Sequence, residues 1–268
     1  MIKIIFCDMD GTLLTSEKKL PEGFDEMISV LRERRIIFAP TSGRSYASLL
    51  KIFPKYAGEF LFLSDNGTLA TYKGKKIFSQ PINRGEAIKI LRYAESIENV
   101  LRVFCGEKNY ILAEQNCPYF TERLEKFSSS NAVVNEWEEI DDLPLKISFC
   151  DPTKNSAINV YPFLAPFYES MQVVLASDEW TDVMIRGANK GSGVRAVQKI
   201  LDIEPEECVA FGDYMNDYEM LESVVHSFAM ANAHFDLKRI ARYETLSNDE
   251  DGVGAGIKKL LGCQSNLS

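Results

Sequence analysis

Residues 4–14 read IIFCDMDGTLL. The apolar run over residues 2–7 has the continuous hydrophobicity of a strand covered on both faces. It stops abruptly at Asp8 and Asp10, followed by Gly11 and Thr12. Two carboxylates at the mouth of a buried strand repel each other and lose water, so the arrangement is costly unless something compensates it. A hard divalent cation would, and Mg²⁺ prefers oxygen ligands of this kind. Gly11 permits a tight turn and a close backbone approach to a ligand. The plain alternative is a pair of solvated turn aspartates, and D-x-D alone does not separate the two.

Working outward, the pattern around this strand repeats. PEGFDEMISVLRERR places Phe24, Met27, Ile28 and Leu31 on one helical face, with Pro21 near its start. IIFAP (36–40) reads as a second strand, 45–53 as a helix and EFLFLSDNG (59–67) as a third strand ending in turn residues. The same rhythm returns late in the chain. GSGVRAVQKIL is helical, CVAFGD a buried strand, NDYEMLESVV a helix, SFAM a short strand and AGIKKLLG a closing helix stopped by Gly262. Repeated strand–helix units imply an α/β fold, a doubly wound parallel sheet of Rossmann-like type. From about 82 to 185 the strands (LRVFC, NYILAE, LKISFC, SMQVVLAS, TDVMIRG) are shorter and more polar, with helical stretches around 84–97, 117–130 and 161–169. The expected organisation is therefore a core of 1–81 and 186–268 with an α+β unit, 82–185, inserted into it.

In a doubly wound sheet, functional side chains gather beyond the carboxyl ends of the strands. Besides Asp8 and Asp10, those ends carry three further groups. TSGR (41–44) offers the Ser42 hydroxyl and backbone N–H groups around Gly43 to a phosphate. ANKGSG (188–193) brings Lys190, a fixed positive charge. CVAFGD delivers Asp213, and GDYMND (212–217) adds Asn216 and Asp217. Singly these are a Ser–Gly turn, a surface lysine and a helix cap. Together they are carboxylates suited to one cation beside groups suited to one oxyanion.

Bulk properties narrow the choice. The chain has 268 residues, enough to bury a full core, with 46% hydrophobic and 26% charged residues. A net charge of −9 opposes general binding to nucleic acid or to anionic membrane, though not a local anion pocket. No apolar stretch is long enough to span a bilayer, and MIKIIFCD lacks the layout of a signal peptide. Six scattered cysteines (Cys7, Cys105, Cys117, Cys150, Cys208, Cys263) show no paired short spacing, and three lie in apolar runs, so buried reduced thiols and a cytoplasmic location are expected. The only histidines, His226 and His234, stand far from any serine or cysteine motif and read as structural.

In this order, DMDGTLL, TSGR, NKG and GDYMND resemble the four motifs of the haloacid dehalogenase (HAD) superfamily. The tail FAMANAHFDLKRIARYETLSNDEDGVGAGIKKLL and LSDNG (63–67) resemble its Cof-type sugar-phosphatase branch, as does an insertion between motifs two and three. The match covers most of 1–81 and 186–268. It implies a Mg²⁺-dependent phosphatase acting on small phosphorylated metabolites, sugar phosphates foremost; from the charge no nucleic-acid or membrane partner is expected, and no protein partner is predicted. By the same resemblance Asp8 is the nucleophile that forms an aspartyl-phosphate and Asp10 the acid/base. The metal is held by Asp8, Asp10 through its carbonyl, and Asp213, with Asp217 in support. Ser42, Gly43, Lys190 and Asn216 grip phosphoryl oxygens, and the insertion is a lid that chooses the leaving group. Two positions depart from the pattern: Tyr214 replaces a usual glycine, and Asp65 a usual glutamate. Arg186 is a second anion contact or, more simply, a surface arginine, and the aromatics of the insertion read as its core. A phosphomutase using the same intermediate remains an alternative. So does a non-catalytic phosphorylatable or sugar-phosphate-binding protein, against which Asp10 and the insertion both argue.

Overall fold

The structure, a computed structural model, describes residues 1–127 and 130–262. Its first strands are β1 (Ile4–Asp8), β2 (Ile37–Thr41), β3 (Leu61–Ser64), β4 (Leu69–Tyr72) and β5 (Lys75–Ser79). The inserted segment holds β6 (Leu101–Cys105), β7 (Asn109–Leu112), β8 (Asn131–Val134), β9 (Lys146–Cys150), β10 (Met171–Leu175) and β11 (Trp180–Ile185). The chain then returns through β12 (Cys208–Gly212), β13 (His226–Ala229) and β14 (Tyr243–Glu244).

Two compact units result. One comprises Met1–Ser42, Phe53–Phe78 and Asn189–Ser268, the other Gly43–Ile52 and Ser79–Ala188. The insertion expected at 82–185 thus extends three residues further at each end. The helix Tyr46–Ile52, expected in the core, groups with the inserted unit instead.

The first unit is built on a sheet ordered β14-β13-β12-β1-β2-β3-β4-β5. β1 is parallel to both β2 and β12, and its five residues are all buried. One face packs Ile4, Phe6 and Ala39 against Val194, Val197 and Met220 from the helices Lys190–Leu201 and Tyr218–Glu222. On the other face, Phe38 lies in an aromatic cluster with Phe24, Phe53 and Phe60 at ring separations of 5.2–6.4 Å. Helices cover both sides, as the run of apolar residues requires. The sheet is not wholly parallel: β4 runs antiparallel to β3. The β4–β5 turn places Lys73 and Gly74 at positive φ (51° and 70°), a tight hairpin turn that carries little hydrophobic signal. From β1 the chain winds toward β2 and β3, then returns on the opposite side through β12 and β13. The reversal between β1 and β12 opens a crevice at their carboxyl ends.

The second unit is a sheet ordered β10-β11-β9-β6-β7-β8, antiparallel except between β7 and β8. Phe104, Ile147, Phe149 and Val183 pack with Ile90 and Leu91 of the helix Arg84–Tyr93 and with Trp137. The expected aromatic core is only partly found. Phe167 is buried, whereas Tyr119, Phe163 and Tyr168 are exposed, and Trp137 fills the centre. Polar residues do not bring these strands to the surface: all five residues of β6 and of β9 are buried, Arg102, Lys146 and Ser148 among them. The end of the helix expected at 117–130 falls partly outside the described residues, as does Cys263. The other five cysteines are free. Among the described residues no helix is long and apolar enough to cross a membrane.

Candidate active site

β1 ends in Asp8 and β12 runs into Asp213, so the crevice at the reversal of strand order receives one carboxylate from each side. Lys190, the first residue of its helix, reaches into the same place and is fully buried. Its ammonium donates to Asp8 Oδ1 and, at 2.6 Å, to Asp217 Oδ1. The other oxygen of Asp217 accepts the N–H groups of Asp213 (3.0 Å) and Tyr214 (3.3 Å). Asp217 therefore ties the lysine to the loop that carries Asp213. Thr12 donates its hydroxyl to Asp213 Oδ1 at 2.9 Å, completing the link from the β1 loop.

Gly11 makes that link possible. Its φ is +83°, and a Cβ there would stand 2.3 Å from Asp213 Oδ2. Gly67 does the same behind the lysine: at φ +91°, its missing side chain leaves room for the Asn189 carbonyl, which would lie 2.4 Å from a Cβ. The preceding residues, Asp65 and Asn66, also have positive φ and are buried. The Asn66 N–H donates to the Ser42 carbonyl at 3.0 Å, and the Ser42 N–H to Leu63 at 2.9 Å. LSDNG is thus a buried brace between the loops of Ser42 and Lys190. Asn189 caps the lysine helix reciprocally with Ser192, fixing where it begins.

Electrostatics follow from this geometry. Burial, and then the neighbouring Asp217, push the Asp8 carboxyl well above its ordinary range. Asp213 is pushed up to about 6, by burial first and Asp217 next. Burial lowers the affinity of Lys190 for its proton, but Asp217 and Asp8 more than offset this, and the group stays protonated. One ammonium faces three carboxylates, leaving excess negative charge. Asp8, Asp213 and Asp217 each offer an oxygen within 4.8 Å of the others. Hard, clustered oxygen donors with uncompensated charge are what Mg²⁺ requires, so the residues fit that ion.

The expected residues divide accordingly. Asp8, Lys190, Asp213 and Asp217 come together. Asp217 serves as a brace, both of its oxygens already hydrogen bonded. Ser42 is buried and held through its backbone. Gly43 opens the segment that groups with the inserted unit, and its carbonyl accepts from Lys146 at 3.2 Å. The Asp10 carboxylate accepts from Lys18 at 2.8 Å. Asn216 is exposed in the middle of the short helical turn Met215–Asp217, which Tyr214, 61% exposed, precedes. Arg186 donates to the carbonyl of Glu169 and is exposed, as a surface arginine would be. His234 caps a helix by accepting from Asp236, and His226 stacks on Tyr243. Three polar residues escaped sequence reading: Thr12, Asn232, which donates to the Gly11 carbonyl at 2.8 Å, and Asn248, which donates to Leu14 at 2.9 Å. The threonine beside D-x-D-G was the only local signal. The asparagines lie more than 200 residues from the loop they support.

The profile of the haloacid dehalogenase-like hydrolases matches residues 5–257 of this chain. The 5-amino-6-(5-phospho-D-ribitylamino)uracil phosphatase YbjI of Escherichia coli is 27% identical over 266 residues, covering 97% of this chain and 96% of that one. Phosphatase YwpJ of Bacillus subtilis is 27% identical, over 97% of this chain and 100% of its own. Among solved structures, SMU.1108c from Streptococcus mutans superposes with a TM-score of 0.85 at 25% identity, over 98% and 100% of the two chains. The HAD subclass IIB sugar phosphatase BT4131 shares the fold, with a TM-score of 0.78 at 22% identity over 97% and 99%.

Proposed function

Because this chain belongs to the haloacid dehalogenase-like hydrolases and is a phosphatase, we propose that it hydrolyses small phosphorylated metabolites, sugar phosphates foremost, through an aspartyl-phosphate on Asp8. The observation that carries this reading is the fully buried Lys190, bridging Asp8 and Asp217 within a carboxylate cluster. A lysine enclosed with that many acids orients the acid at the strand end and offsets part of the cost of its charge, so that it can meet phosphorus in line.

Asp8 attacks the phosphorus, and the P–O bond to the leaving group breaks. Asp10 gives its proton to the departing oxygen, then takes one from the water that hydrolyses the acyl phosphate. Lys190, the Ser42 hydroxyl, the Gly43 N–H and Asn216 receive the charge that spreads over the phosphoryl oxygens. Asp8, the Asp10 carbonyl and Asp213 would hold Mg²⁺, with Asp217 bracing them. When bound, the ion neutralises the repulsion between carboxylate and phosphate. No histidine is needed, which agrees with the roles of the two present, His226 stacked on Tyr243 and His234 capping a helix.

Phosphate release is to be measured across a panel of phosphorylated sugars and related metabolites with Mg²⁺, beside Asp8→Asn. The expected outcome is turnover by the wild type and a loss of at least roughly 10³-fold in the variant. Activity surviving in Asp8→Asn removes the nucleophile. Isomerised product without free phosphate identifies a mutase, and a stable phosphoprotein without turnover identifies a switch.

A further inference from the structure

A second buried charge cluster lies in the inserted unit, where no catalytic role has been placed. Lys146 and Ser148 of β9 point to one face of the sheet, and Asp182 of β11 pairs with Ser148 on that face. All three are at most 2% exposed. Lys146 donates to Asp182 Oδ2 at 2.8 Å, and Ser148 to Asp182 Oδ1 at 2.6 Å. Lys146 also donates to the carbonyl of Gly43 at 3.2 Å. Full burial excludes direct contact with a solvent-borne ligand. An ion pair in this setting contributes little net stability compared with apolar residues of the same size, because both charges lose their water. What it supplies is direction.

Gly43 is where direction is scarce. It is the most permissive residue of the TSGR turn, and the two peptide planes flanking it decide where the following N–H groups point. In a trans peptide the C=O and N–H are opposed, so fixing the carbonyl fixes the donor. The Ser42 carbonyl is held by Asn66, which sets the Gly43 N–H. The Gly43 carbonyl is held by Lys146, which sets the N–H of Arg44.

We propose that Lys146, oriented by Asp182, is a positioning residue for the phosphoryl-binding turn, fixing the Gly43–Arg44 peptide before substrate arrives. This rests on the phosphatase reading above. The consequence is preorganisation: donors held in place need no rearrangement as charge develops on the phosphoryl group.

The test replaces the pair together, as Lys146→Met with Asp182→Leu, so that no unpaired charge is left buried. Lys146→Met alone serves as the second variant. Three quantities are read in the full chain: thermal unfolding, inhibition by inorganic phosphate, and hydrogen exchange of the Gly43 and Arg44 amides. The expected result is a double variant that still unfolds cooperatively, with phosphate inhibition weakened roughly tenfold or more, kcat/KM reduced by a similar factor and faster exchange at 43–44. Phosphate inhibition within twofold of wild type, or unchanged exchange at 43–44, overturns the proposal. If the wild type itself releases no phosphate, the phosphatase reading has failed, and exchange alone still decides whether Lys146 holds the turn.

Discussion

Lys190 makes the sharpest demand on its surroundings. Its ammonium is fully buried, and both of its named partners are buried carboxylates. Lys190→Met would remove this buried positive charge and leave Asp8 and Asp217 without it, a loss of about 3–5 kcal/mol. Denaturant titration should show it as a lower midpoint with an unchanged slope, alongside lost activity. Asp213 yields a pH prediction. Its folded pKa, about 6, lies above its ordinary value of 3.8, so the charged form is the one disfavoured by folding. Below pH 3.8 the group is protonated in both states and carries no penalty. The penalty grows as pH rises through about 6 and is full above it. The metal-free Asp213→Asn variant should therefore gain Tm relative to wild type between pH 4 and 7, and a difference that is flat across that interval would contradict the assignment. Of these residues, Asp8, Asp213 and Lys190 were readable from their motifs. Asp217 was expected in support, but its partners were not readable, because its two oxygens are spent on a lysine 27 positions away and on the N–H groups of its own loop.

The short elements that present these groups have their own requirements. The lysine helix begins where Asn189 and Ser192 exchange hydrogen bonds. Asn189→Ala should cost about 0.5–2 kcal/mol, and should lower kcat/KM by more than that instability explains, because the cap also places Lys190. Comparing urea unfolding with kcat/KM on the same protein separates the two effects. Strands buried on both faces, β1 and β12, were legible as apolar runs, and so were the amphipathic helices Phe24–Glu33 and Lys190–Leu201. The β4–β5 hairpin and the helix Phe235–Ile240 were not. The first depends on a positive-φ turn and the second is a six-residue segment capped by a histidine, so neither leaves a sustained hydrophobic period.

Taken whole, the molecule has a net charge of −9 and gathers the carboxylates of Asp8, Asp213 and Asp217 at one crevice. If Mg²⁺ is the ion that the folded carboxylate cluster takes, the unfolded chain offers it no comparable site. At about a hundred times its Kd it should stabilise the protein by about 2.7 kcal/mol. Thermal unfolding with and without Mg²⁺ measures this. The shift should shrink in Asp8→Asn and in Asp213→Asn, and an equal shift in all three proteins would place the ion elsewhere. The order of strands and helices, the motif residues at the strand ends and the presence of an inserted α+β unit could be read from local chemistry, because apolar periodicity and turn residues act over a few positions. The partnerships could not. Asn232 and Asn248 support the β1 loop, the Asp65–Gly67 turn wedges behind Asn189, and the helix Tyr46–Ile52 groups with the inserted unit. Each depends on contacts between residues far apart in the chain, which exist only once the sheets have formed, and no local pattern encodes that.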